Sequence, residues 1–292
     1  SGFSISTNDG GIHATTLDLP GAAVSLSAEG PVTLGTMTGA SLDINAQGAV
    51  TITSATTSGG GGIEVNTGSC SSGYSVCTGV SPITAGSLVT TGGGSVTLRT
   101  YDSGNVDVTT ITSSGSVSVQ AGTQYTNYAE YVGYPNGYKE YVTTNQVTLG
   151  TVTAQGSVSL YNQGDGNLTI AQNLVATNGN VYLSAGASYN DDGRYDTPDR
   201  LTTTIVSTAG LQAGSNLNVY NNGDGAITVS GAVAAGSYTQ LQTNHGNLTV
   251  TGPMTSAYSI SLYSGGGALS VGQVSATNPG FGDVDLSADL GI

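Results

Sequence analysis

The chain has 292 residues, of which only 8% are charged; it holds 46 Gly, two Phe and no Trp, and 18 acidic against four basic side chains give a formal charge of −14. That acidity repels nucleic-acid phosphate and anionic membrane surfaces, and no apolar run approaches the ~20 residues of a helical span, so nucleic-acid partners and membrane insertion are excluded. With 37% apolar residues set at strict alternation, the composition argues against disorder and for strands.

In chain order the same phrase recurs: VTLGTMTGAS from Val32, VDVTTITSSG from Val106, VTLGTVTAQG from Val147, then longer copies from Leu168, Ile227 and Leu248, and LSVGQVSATN from Leu269. The interval is about 21 residues, the mark of a stacked repeat. Each repeat opens with an apolar-x-apolar strand (Leu168 and Ile170; Ile227 and Val229) and passes a corner of small residues with one apolar plug (Leu174, Val233, Met254, Val274). A second such strand follows (Val181 and Leu183; Leu217 and Val219; Ile260 and Leu262). Equivalent strands about 21 residues apart cannot reverse direction, so they pair in parallel with the next coil. The expected fold is all-β: a right-handed parallel β-helix of about 11 coils, three short faces per turn, forming one domain over 1–292 and a rod about 50 Å long. Met254 and Phe281 read as core or corner fillers. Both ends of the sequence lie inside the repeat pattern. The expectation is a segment of a longer exported protein, with neighbouring coils or subunits continuing the ladder end to end.

Connections after the second strand alternate between short (99–105, 161–167, 220–226) and long (about 66–82, 120–146, 184–204). Long loops therefore fall on one corner of every second coil, about 10 Å apart, and form a lateral surface. The first holds Cys70 and Cys77, whose spacing and lack of a nearby His predict a disulfide and an oxidising, extracytoplasmic setting. The second holds Tyr125, Tyr128, Tyr131, Tyr134, Tyr138 and Tyr141. With their Asn and Gly neighbours these suit recognition of glycan or protein, or packing over the coil flank. The third adds Tyr189 and Tyr195, and its Asp191, Asp192, Asp196 and Asp199 offer clustered hard oxygens to Ca²⁺, with Arg194 and Arg200 as the competing neutralisers. Asp102, Asp165 and Asp224 each precede or nearly precede Gly and read as turn residues. His13 and His245 read as solvated, and no nucleophile motif or phosphate loop is present.

The phrases GSVSLYNQGDGNLTI, NGNVYLSAG and GNLTVTGPM, with Gly-Asn or Gly-Ser opening an apolar-x-apolar strand, resemble the shaft repeats of filamentous haemagglutinin-like large exoproteins of two-partner secretion. The resemblance covers nearly the whole chain outside the long loops. It implies a right-handed β-helical fibre, secreted or at a cell surface, acting in adhesion, aggregation or matrix building. The expected function is thus a non-catalytic structural or adhesive filament segment presenting Tyr/Asn/Gly-rich loops to host or matrix glycans, proteins or other fibres. A polysaccharide-processing β-helix is the alternative, but Arg99, Lys139, Arg194 and Arg200 are too scattered to serve a lyase. An ice-binding solenoid would need regular T-x-T on one flat face, whereas outward positions mix Thr with Ser, Asn, Asp and Tyr.

Overall fold

The computed structural model describes residues 2–68, 79–133, 137–186, 195–196, 203–280 and 282–292, with backbone alone at 124–133, 137–142 and 195–196. These residues form about 11 stacked coils of a parallel β-solenoid without a helix, so none is long and apolar enough to cross a membrane. Two sheets run along the rod. The first has 12 strands, from Gly2–Thr7 to Asp283–Ala288; the second has 16 and begins at Ile12–Asp18. The chain visits them alternately, and every strand pairs in parallel with its counterpart one coil on. Coils without an insertion vary from the 18 positions between Ala23 and Ser41 to the 24 between Ser259 and Asp283.

Parallel in-register pairing places like residues on top of one another. Leu26, Ile44, Val65, Leu98, Val119, Leu160, Leu183 and Val219 form one such column along the first sheet, and none of them is exposed. Ile12, Val32, Val50, Ile83, Val106, Val147 and Leu168 form a facing column on the second. Each fully buried aliphatic contributes ~1.5–3 kcal/mol, and the ladder satisfies the backbone.

The expected three faces need one correction. In early coils the second and third faces are a single kinked strand: Val147–Ala154 buries Val147, Leu149, Val152 and Ala154, with two residues between the inner pair. From Leu168 onward the gap is three residues. The register accordingly moves from Val147↔Leu168 to Val152↔Leu174, and the strand splits into Leu168–Ile170 and Leu174–Ala176. The residues read as corner plugs, Leu174, Val233, Met254 and Val274, therefore each open a short strand of their own. Met254 is fully buried, as a filler should be; Phe281 lies outside the described residues.

Val229 is fully buried in the second sheet's column while Thr228 points outward beside it. Val229→Asp should cost several kcal/mol and collapse the thermal transition, whereas Thr228→Asp should shift melting by no more than a few degrees. Circular-dichroism melts of the two variants check this.

Candidate functional site

All three insertions leave from the first sheet and return to the second at one corner. They occupy the stretches between Thr67 and Ile83, between Ala121 and Val147, and between Ala185 and Ile205, and coils with short turns separate them. Their roots share a construction. The first residue out is Gly68, Gly122 or Gly186, with φ of 76°, 74° and 78°, a left-handed conformation that turns the chain away from the coil and that only Gly adopts freely. Two residues before the second sheet resumes stands a buried polar side chain: Ser81, Asn145 or Thr203. Departure and return are tied together. Thr67 Oγ1 donates to Ser81 O at 2.5 Å. Thr123 N–H donates to Thr143 Oγ1 at 2.9 Å. In the third insertion both ends are held by the next coil: Thr203 Oγ1 donates to Asn221 Oδ1 at 2.6 Å, and the Asn222 amide reaches Gly186 O at 3.4 Å.

The intervening short turns are built from Gly104, Gly166 and Gly225. A Cβ there would lie 2.3, 2.0 and 1.9 Å from the carbonyl oxygens of Ser81, Asn145 and Thr203, closer than any side chain tolerates. Those carbonyls are then satisfied from within. Asn162 Nδ2 donates to Gly166 O and to Asn145 O, both at 2.9 Å. Asn221 Nδ2 donates to Gly225 O at 2.8 Å and to Thr203 O at 2.7 Å. Each buried amide thus stitches its own turn to the root of the insertion one coil earlier.

Turn chemistry holds for Asp102, whose Oδ1 accepts from Gly104 N–H at 3.0 Å and Ser81 N–H at 3.1 Å. It is almost fully buried, and its other oxygen lies between Gly68 and Gly79 at the foot of the first insertion. Asp102, Asp165 and Asp224 do not stand in one row along the rod. Register sets Asp102 level with Gly164, whereas Asp165 and Asp224 are level with each other. His245 is exposed, 3.5 Å from Asp224, and His13 is exposed on the second sheet.

The second insertion is a hairpin, Gln124–Gly133 against Gly137–Val142, with Tyr125 opposite Tyr141 and Tyr131 opposite Tyr138. Its return strand pairs in parallel with Tyr195–Asp196 of the third insertion, placing Tyr195 beside Tyr138. Two insertions two coils apart are thereby joined in one three-stranded sheet, and Tyr131, Tyr138 and Tyr195 stand in one row across it. Tyr128 lies on the outgoing strand where the register shifts. Tyr134, Tyr189, Asp191, Asp192, Asp199, Cys70 and Cys77 fall outside the described residues, so the disulfide and the calcium cluster do too. Asp196 is placed by its backbone alone. Among the described residues no group of three or more His, Cys, Asp or Glu could hold a metal.

The two outer faces differ in a way the sequence did not reveal. On the second sheet, the rank from His13 to Ser270 holds Thr33, Thr51, Thr84, Thr148, Thr169, Thr228 and Thr249, interrupted by Asp107 and Val206. The mixture of outward residues read along the chain is therefore sorted by face, with Thr on the second sheet.

The first sheet carries acids and amides early and tyrosines late. Asp43 stacks on Glu64, and burial, then the Glu64 charge, push the Asp43 carboxyl upward against the opposing bond from Asn45. Arg99 lies 3.8 Å from Glu64, and a groove of about 320 Å³ lined by Asn45, Asn66 and Tyr101 opens beside the first root. From Val117–Ala121 to Ser259–Ser264 the outward positions are Ser118 and Gln120, Ser159 and Tyr161, Tyr182 and Ser184, Asn218 and Tyr220, Gln240 and Gln242, Ser261 and Tyr263, with no charge among them.

Removing a stitch tests the edge. Asn221→Ala strands the Thr203 carbonyl and hydroxyl and the Gly223 N–H, leaving Gly225 O with its bond from Thr243 Oγ1, and should cost about 2–4 kcal/mol, while Asn222→Ala, whose contacts are long, should cost under about 0.5 kcal/mol. Thermal melts, with hydrogen exchange at the Gly225 turn as the local readout, compare the two.

No protein-family model, curated protein or solved structure matches this chain, so its function is read from the geometry of its edge and faces.

Proposed function

We propose that this chain is a segment of a secreted or cell-surface filament, non-catalytic, whose stacked coils hold the insertions as adhesive tongues along one edge. The observation that carries the reading is the shared root. Three insertions leave through a positive-φ glycine and return through a buried polar residue at one corner, so the rod is a rigid mount for lateral surface. The joining of two tongues into a sheet with cross-strand tyrosines supports contact with glycan, protein or a second fibre, since Tyr supplies broad amphipathic area at low entropic cost. Half-buried Phe3, Ile5 and Leu17 at one end of the core, and Val274 and Leu286 at the other, suit continuation of the ladder by further coils or another copy. Export by two-partner secretion rests on the resemblance of the repeats.

The test replaces residues 124–142 with Gly-Ser, so that Thr123 and Thr143 still close the root. The melting temperature should stay within a few degrees of the parent, while adhesion of protein-coated beads to cells and matrix should fall at least about tenfold. Undiminished adhesion would remove the tongues from the function.

The threonine rank favours a second reading, an ice-binding face. Outward hydroxyls repeat about every 4.8 Å between coils, a ladder of hydroxyls able to order water. Ice-recrystallisation assays at micromolar protein should show inhibition that Thr148→Tyr with Thr169→Tyr abolishes; ordinary crystal growth in the parent sinks it.

A further inference from the structure

The tyrosines of the first sheet do not stand in a simple column. Tyr161 and Tyr220 share a rank two coils apart, and the coil between them carries Ser184 at that position. The small serine leaves room for Tyr182, from the neighbouring rank, to lay its ring between the other two. Ring centroids are 5.2 Å apart for Tyr161 and Tyr182, tilted by 34°, and 5.5 Å apart for Tyr182 and Tyr220, tilted by 42°. The Tyr220 hydroxyl then donates to Gln240 Oε1 at 2.9 Å, extending the ribbon one coil further. At the adjoining corner Tyr238 and Tyr258 stack at 5.5 Å and 27°, and are 51% and 38% exposed. Burial, then the neighbouring ring, raises the hydroxyl pKa of Tyr182 and Tyr220, at Tyr182 against an opposing hydrogen bond with Ser184.

We propose that this ribbon on the outer face of the first sheet is a binding platform for a neutral linear polysaccharide lying along the rod. The ribbon crosses four consecutive strands and lies within a face of six strands, about 24 Å of rod, without a charged outward residue. On its rim Gln120 donates to Gln163 at 3.1 Å, and the amides offer donors and acceptors together, the mixture that sugar hydroxyls require. The half-buried rings, with the exposed Tyr238 and Tyr258 beside them, supply apolar area for the C–H side of a pyranose. The chain's net charge of −14 opposes an acidic glycan. A protein partner is the weaker fit, because a stable interface core loses polar groups and here every outward position that is not a Tyr is Ser, Asn or Gln. This site lies on a sheet face and is separate from the tongues at the edge.

Affinity electrophoresis and titration calorimetry of the whole chain against dextran, mannan and xyloglucan, with alginate and polygalacturonate as acidic controls, test the assignment. At least one neutral polymer should bind. Tyr182→Ala should weaken that binding at least about tenfold, Thr97→Ala should leave it unchanged, and the 124–142 replacement should retain it, which separates this platform from the adhesive tongues. Should Tyr182→Ala melt early, Tyr161→Ser with Tyr258→Ser gives a second reading of the same surface. Failure of every neutral polymer to bind, preference for the acidic ones, or equal affinity in folded Tyr variants would overturn the platform.

Discussion

The whole molecule depends on parallel in-register pairing at the β-ladder spacing of about 4.8 Å. Once Val147 sits under Leu168 and Val117 under Val158, every coil must have nearly the same cross-section as its neighbours. Nothing can be added inside, and a corner has no more height than a strand. This is why the short turns come down to Gly104, Gly166 and Gly225, and why extra chain must leave sideways through one point and come back through it.

The same constraint converts single outward residues into arrays. A Thr repeated once per coil becomes a rank on the second sheet, and Tyr161, Tyr182 and Tyr220, spread over sixty positions of sequence, become touching rings on the first. A solenoid thus offers three kinds of surface at once: an edge of insertions and two flat faces of different chemistry. Because the rod is stiff, each presents its groups by repetition, so that individually weak contacts to a ligand would add along its length.

How much of this could be read from the sequence follows from how local each feature is. The aliphatic pairs such as Leu217 and Val219 announce strands by period 2, and their recurrence announces parallel stacking. The alternation of long and short connections is equally local. The sorting of Thr and Tyr between faces was hidden because it depends on which strand of each coil joins which sheet, and residues a whole coil apart in sequence become neighbours only through that register. The pairing of Tyr138 with Tyr195 was hidden too, since it joins loops from different coils. The exit glycines are three among 46, and nothing marks Gly68, Gly122 and Gly186 until the corner is known. Yet the pattern is simple in hindsight: a small or threonine residue ending a strand, then Gly, then a long connection.

The polar stitching of that corner explains why insertions are tolerated there. Aliphatic packing would need continuous, coil-by-coil complementarity, and an irregular loop would interrupt it. Asn162 and Asn221 instead hold backbone carbonyls of two coils by hydrogen bonds that are the same whatever the loop contains. With the ends fixed, lengthening a loop costs only about 0.6 kcal/mol per doubling, while one buried aliphatic contributes ~1.5–3 kcal/mol. A single coil's core outweighs the difference between the shortest and longest insertion. The edge can therefore vary in length and composition while the stack stays intact.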